Sequence, residues 1–359
     1  MRRLVFLSHF VHDYFIWLLF GSYALAALWP NLGLAVRNIS FGEFAVFREK
    51  TKLTLPVVML AFLLLNAGLG VQTGELTALL RQPLVLIAGL AANLLAPITY
   101  IFVVSRTMRF WHNPDEVQNI LVGLALVASM PIAGSSTAWS QNANGNLALS
   151  LGLVLFSTFL SPVTTPIALH SVGLMTTGDY AADLHELASA GAGGFLAISV
   201  IGPSLLGIAA RRTVGDAGIT SAGPFLRLLN SFNLLLLNYA NAAVSLPQMM
   251  ADPDWDFLAV VLIIVLGLCV LAFAAGWLLG RWLKVDPPQQ VSLTFGLGMN
   301  NNGTGLVLAS LALANHPRVL LPIIFYNLVQ HFVAGCVDFI NSTAAGRRQS
   351  RDLAASASA

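Results

Sequence analysis

The chain has 359 residues, 57% of them hydrophobic and 9% charged, with 18 Lys+Arg against 16 Asp+Glu and a formal net charge of +2. Soluble domains carry about 25% charged residues, so a soluble multidomain enzyme is excluded, and so small and scattered a net charge excludes a nucleic-acid binder. Cys269 and Cys336 both lie inside apolar runs, which excludes a disulfide framework and a cysteine-based metal centre.

Apolar runs of about 20 residues predict ten membrane spans, at 13–30, 53–71, 83–105, 118–143, 146–171, 188–210, 225–247, 256–283, 288–314 and 317–341. Arg2 and Arg3 precede the first span, and it contains Ala24-Leu25-Ala26, a signal-cleavage pattern. Trp29-Pro30 closes it and further spans follow, so a retained helix is expected, with His12 and Asp13 at its interfacial start. Placing both termini in the cytoplasm puts eleven basic residues inside and seven outside, in line with the positive-inside rule, although the basic loop 31–52 runs against it.

The fourth span is interrupted. Met130-Pro131-Ile132-Ala133-Gly134-Ser135-Ser136-Thr137 places a helix-breaking Pro and a permissive Gly at mid-membrane, and the polar run 140–146 follows. The seventh span carries Asn230, Asn233, Asn238 and Asn241, a polar stripe that faces either a cavity or another helix. The ninth span is interrupted at Gly296-Leu297-Gly298-Met299-Asn300-Asn301-Asn302-Gly303-Thr304-Gly305. Three successive Asn cannot all face one neighbouring helix, so this backbone is expected to be buried in protein or to line a watery cavity. His331, mid-way along the tenth span, is either a hydrogen-bonded packing residue or a group that couples transport to protons. The Ala/Ser-rich tail 344–359 is expected to be a disordered cytoplasmic segment.

Spans four and nine occupy the same place in two successive sets of five, 1–172 and 173–343. Because five is odd, two similar halves would lie inverted in the membrane. The expected fold is an all-α polytopic membrane protein with ten transmembrane helices in two inverted five-helix repeats, broken in helices 4 and 9. Paired broken helices at corresponding positions mark a secondary transporter's binding site: half-helix N-termini attract an anion, while C-terminal ends and unwound carbonyls hold a cation. No zinc-protease motif, phosphate-binding loop or nucleophile elbow is present, so the reading is not an enzyme.

These segments resemble the bile acid:sodium symporter family. Its ninth helix reads Glu-x-Gly-Met-Gln-Asn-Ser-Gly where this chain has Gly296-Leu297-Gly298-Met299-Asn300-Asn301-Asn302-Gly303. Its Gly-Asn-x-Ala-Leu-Ser and Ser-Pro-x-x-Thr-Pro are matched by Gly145-Asn146-Leu147-Ala148-Leu149-Ser150 and Ser161-Pro162-Val163-Thr164-Thr165-Pro166. The resemblance implies that helices 4 and 9 cross, that organic anions are carried at the crossing, and that sodium usually moves with them. It implies a substrate site at Gly134, Ser135, Ser136, Thr137, Asn301, Asn302 and Asn93. It implies sodium ligands at Ser136, Thr137, Ser150, Met299, Asn300 and Asn301. The sodium sets are incomplete: the family's fifth-helix Thr is Val154, its third-helix Gln falls at Ala92, and its ninth-helix Glu is Gly296. A buried cation without a counter-anion is costly, so weakened or absent sodium coupling is expected. Trp139, just after the fourth-helix break, is a further pocket residue.

Two other readings stand beside this one. A non-transporting ligand-binding receptor would tolerate loss of the family Glu. An arsenite-type exporter of the same superfamily would offer a membrane-embedded Cys near the fourth helix, whereas Cys269 and Cys336 lie in spans eight and ten.

Overall fold

In a computed structural model of the chain, residues 7, 10–11, 14–46, 49–71 and 83–357 are described. The expectations for Arg2, Arg3, His12 and Asp13 fall outside them, as do Arg48 and Arg81 among the counted basic residues. Helix α1 (Phe15–Leu28) turns by 92° at Trp29 into α2 (Pro30–Asn38). A hairpin of β1 (Ser40–Val46) and β2 (Glu49–Thr54) leads to α3 (Leu55–Leu69). Next come α4 (Pro83–Thr107), extended by a 3₁₀ turn to Phe110, then α5 (Pro114–Ser129), α6 (Ser135–Asn142) and α7 (Leu147–Gly173). Helix α8 (Gly178–Glu186) passes through two π turns flanking α9 (Ala192–Leu196) into α10 (Gly202–Ala242). The chain closes with α11 (Leu246–Ala251), α12 (Trp255–Trp282), α13 (Pro287–Gly298), α14 (Asn302–Ala312) and α15 (Leu320–Ala357).

Among the described residues, five helices are long and apolar enough to cross a bilayer, and a sixth crossing results if the bent α1–α2 pair is one span. The chain is therefore a predominantly helical integral membrane protein. Burial separates two kinds of helix. Along α4 and α12, large apolar side chains face outward, including Leu84, Ile87, Leu95 and Ile263, as lipid contact requires. The broken helices are enclosed instead: thirteen of the 16 residues of α5 and nine of the 11 of α14 are buried. Irregular backbone at membrane depth survives only where protein surrounds it or where it lines a cavity; Met130–Ala133, Met299 and Asn300 are buried, whereas Gly134 is exposed.

Beside the helices, 40–54 forms an antiparallel hairpin that hydropathy did not anticipate, with Phe44 opposite Thr51 and Val46 opposite Glu49. Phe41, Phe44, Val46, Thr51 and Thr54 favour extended backbone, and no helical period competes. The loop expected between spans 188–210 and 225–247 is helical on both sides of one residue, Gly215. Its φ of 75° is open to glycine and strained for other residues. Arg211 braces this turn, donating to the Leu69 carbonyl at 2.7 Å and to Asp216 Oδ1 at 2.6 Å. The tail 344–357 is also helical, as the end of α15. Ala, Arg and Gln are good helix formers, and extending a helix already formed avoids the cost of nucleation.

Candidate functional site

Pro131 ends α5 and α6 begins only at Ser135, so residues 130–133 leave the helix, extended at Met130; Met299–Asn301 do the same between α13 and α14, extended at Met299. The two extended segments cross and pair antiparallel, with Ile132 opposite Asn300. Ala133 N–H donates to the Met299 carbonyl at 2.9 Å, and Asn301 N–H donates to the Pro131 carbonyl at 2.8 Å. A broken helix frees backbone groups that must find partners when buried. Here neighbouring helices supply them. Thr165 Oγ1 donates to the Ser129 carbonyl at 2.5 Å, Ser157 Oγ accepts from Ile132 N–H at 3.0 Å, and Tyr326 donates to the Gly298 carbonyl at 3.2 Å. Thr165 belongs to the Ser-Pro-x-x-Thr-Pro motif, so one of its physical tasks is to tie off the C-terminal end of α5.

A second link lies below the crossing. Ser140 on α6 and Ser292 on α13 share a hydrogen bond of 2.9 Å, and Ser292 donates to the Asn146 carbonyl at 2.8 Å. Asn146 also caps α7, accepting from Leu149 N–H at 2.9 Å. The Gly145-Asn146 turn is thus fastened to the first half of the other broken helix. Trp139 stacks on Phe295 of α13, ring centroids 6.2 Å apart, half-buried between the two broken helices.

The expected residues divide clearly. Met299, Asn300, Asn301 and Asn302 are all at the crossing, and Ser135, Ser136 and Thr137 form the first turn of α6 beside it. Thr137 is joined to Ser150, whose Oγ donates to it at 3.4 Å. Asn301 caps α14, its Oδ1 accepting from Thr304 N–H at 3.3 Å. Asn302 Nδ2 donates to the Asn300 carbonyl at 3.1 Å. Buried oxygens left without a hydrogen-bond partner among the described residues include Ser136 Oγ, Asn300 Oδ1, Asn302 Oδ1 and Thr304 Oγ1. Gly134 is exposed. Asn93 lies on α4 with a buried, unpartnered Oδ1 and no side-chain bond to the crossing.

Residues that the sequence reading left aside hold one flank of the crossing. Gln330 of α15 accepts from Asn300 N–H at 3.0 Å and donates to Asn327 Oδ1 at 3.2 Å. Asn327 donates to the Tyr23 hydroxyl at 2.8 Å and to Asn238 Oδ1 at 3.2 Å. Asn300 Nδ2 closes the chain onto the Val127 carbonyl at 2.9 Å. One polar network thus runs from α5 through the crossing to α15, α1 and α10. The i, i+3 spacing of Asn327 and Gln330 on one helix face was the available signal. The Asn stripe of α10 is accordingly mixed: Asn233 donates to the Met59 carbonyl at 2.7 Å, Asn238 joins the network, and Asn241 is fully buried with both side-chain polar atoms unpartnered among the described residues. His331, next to Gln330, is buried with its ring edge-on to Phe15, centroids 6.0 Å apart.

The other flank is apolar. Ile132, Leu149, Leu153, Leu293 and Leu297 form a buried cluster with Val85 and Leu86, and Ala92 and Val154 lie against it. A Cβ at Gly296 would come within 2.9 Å of Leu153 Cδ1. The three positions where the resembling family places sodium ligands and this chain does not, Ala92, Val154 and Gly296, therefore all border one leucine-filled volume. Of the remaining expected ligands, Ser150 is bonded to Thr137, the Met299 carbonyl accepts from Ala133, and no carboxylate is among them. Ser136 Oγ and Asn300 Oδ1 are the expected ligands left with unpartnered buried oxygens.

Comparison with known proteins bears on the same geometry. Residues 13–339 match the model of the SBF-like CPA transporter family. The chain belongs to that family. This SBF-like transporter is also similar to two Bacillus subtilis (strain 168) proteins. It is 25% identical over 220 residues to the uncharacterized protein YbaS, covering 61% of this chain and 68% of the relative. It is 26% identical over 257 residues to YocS, named an uncharacterized sodium-dependent transporter, covering 70% and 73%.

Proposed function

We propose that this SBF-like transporter is a secondary active carrier of small organic anions, close in mechanism to the bile acid:sodium symporters, that works by alternating access at the crossing of its two broken helices. In this reading the ten spans form two inverted five-helix halves, with both termini on the cytoplasmic side of a bacterial inner membrane. The observation that carries it is the antiparallel pairing of the two breaks, Ile132 with Asn300. That pairing brings the N-termini of α6 and α14 to the same crossing. Half-helix N-termini present positive dipole ends, which favour a carboxylate or sulfate. Ser135, Ser136, Thr137, Asn301 and Asn302 surround that place and are assigned to the substrate, with Gly134 and Asn93 at its margin.

Sodium is assigned no coupling role. The leucine cluster at Ala92, Val154 and Gly296 supports this, because a cation there would face hydrocarbon without a counter-charge. The naming of YocS as a sodium-dependent transporter favours a second reading, sodium-dependent transport through the unpartnered oxygens Ser136 Oγ and Asn300 Oδ1. His331 is the residue for proton coupling, if the carrier is coupled to protons instead.

Thermal-shift screening of the purified protein against carboxylates and sulfates would identify a ligand, and its uptake into proteoliposomes would then be compared in sodium and in choline. Saturable uptake that is equal in the two salts is the expected result. A strict, steep sodium requirement would overturn the uncoupled reading. Ligand binding without uptake or counterflow would overturn transport itself and favour a receptor.

A further inference from the structure

Away from the crossing, α4 ends in a 3₁₀ turn beside the start of α5 and the C-terminal end of α7, and these three enclose a cavity of about 540 Å³. Helix α5 is about 24 Å long at 1.5 Å per residue, so the cavity lies at the end of α5 opposite its break. Arg106 and Arg109 both line it, and no Asp or Glu does. Among the described residues neither guanidinium has an acidic partner; Arg106 lies over the Phe102 ring, 4.9 Å from its centroid. Two acids stand in the adjoining first turn of α5: Asp115 is exposed and forms no ion pair with either arginine, and Glu116 is buried and already accepts from Trp111 Nε1 at 2.6 Å and Asn113 Nδ2 at 2.7 Å.

The wall is mixed, with more apolar than polar surface. Ser105, Ser171 and Thr176 each donate their hydroxyl hydrogen to a carbonyl of their own segment, which leaves the two guanidinium groups as the principal donors. Leu174 and Phe102 line the same cavity and are 73% and 44% exposed, and Phe110 at the end of the turn is 93% exposed. Two free cations above an open apolar wall, where a long apolar helix reaches its end, match one chemistry: a phosphate diester head with hydrocarbon chains attached. Guanidinium binds phosphate in a bidentate fork, and basic pockets between membrane helices recognise anionic lipid heads.

We propose that this cavity is a binding site for one anionic phospholipid, held at its phosphate by Arg106 and Arg109 with its acyl chains against Phe102 and Leu174. A soluble phosphate would use the arginines but not the apolar wall. A zwitterionic lipid would set its own cation against the second arginine.

The test uses the full chain, purified in a neutral detergent and titrated with dioctanoyl phosphatidylglycerol, with bound lipid counted by native mass spectrometry. One lipid per chain is expected, with affinity lowered about thirtyfold in R106Q/R109Q, two surface cations being removed. R281Q, which removes an exposed arginine stacked on Trp277 elsewhere, should bind as the wild type does. Dioctanoyl phosphatidylcholine and glycerol phosphate at the same concentration should not compete. Unchanged affinity in the double variant, or equal binding of the phosphatidylcholine, would overturn the site. Displacement by glycerol phosphate as effective as by the lipid would overturn the lipid assignment in favour of a soluble anion.

Discussion

On the α14 side of the crossing, Asn300 hangs from Gln330, and through it from Asn327, Tyr23 and Asn238. On the α13 side, Ile132, the bridge partner of that same Asn300, is set among Leu149, Leu153, Leu293 and Leu297. The seam between a polar and an apolar flank therefore runs through one residue pair. Inside a membrane protein, polar groups define position because they cannot be left unpaired, whereas leucine fills whatever volume remains. The contrast teaches that loss of one acidic side chain at Gly296 is not an isolated change. The neighbouring positions are apolar as well, so that volume is built as packing.

Placing charge on the apolar flank should have the largest effect. Gly296→Glu puts a carboxylate against Leu153 with no cation to meet it, and should destabilise by about 3–5 kcal/mol, read as a lower midpoint in thermal unfolding in detergent. Adding Leu153→Ala should relieve the contact, and sodium but not choline should then raise the midpoint. A stable single variant would show that the leucine cluster is not closed. The converse substitution, Gln330→Leu, strips the Asn300 N–H and Asn327 Oδ1 of their partner. It should cost about 2 kcal/mol in the same unfolding assay.

Smaller effects sharpen the picture. Asn301→Ala removes the cap of α14 and should cost about 1 kcal/mol, yet abolish the ligand-induced thermal shift; a retained shift would move the substrate away from the crossing. Arg37→Ala should be mildest, at about 0.5–1 kcal/mol. Arg37 donates to the Ser310 carbonyl in the last turn of α14, where a cation complements the helix dipole. This contact also explains why the basic loop 31–52 fits poorly with topology counting: at least this residue is committed to a helix end.

Both helix breaks were legible in the sequence, because Pro131 removes a backbone donor and Asn300-Asn301-Asn302 cannot face lipid. The residues that satisfy the freed backbone were not. Thr165, Ser157, Tyr326 and Gln330 lie on α7 and α15, and a side chain that bonds a distant carbonyl looks in sequence like any polar residue in a span. The hairpin at 40–54 escaped because hydropathy asks only whether a segment spans. The helical passage through Gly215 escaped because a composition of Arg, Thr and Asp reads as a loop whatever its backbone does.

By itself, the sequence determined that this is a membrane protein with two enclosed, interrupted helices, since charge content and helix-breaking residues act locally and leave a direct mark. It also marked Gly296 as a missing acid. Only the tertiary structure decided what stands in that acid's place. Leu153 comes from another helix, and whether a glycine faces a cation, water or a leucine depends on which surfaces the fold brings within van der Waals reach.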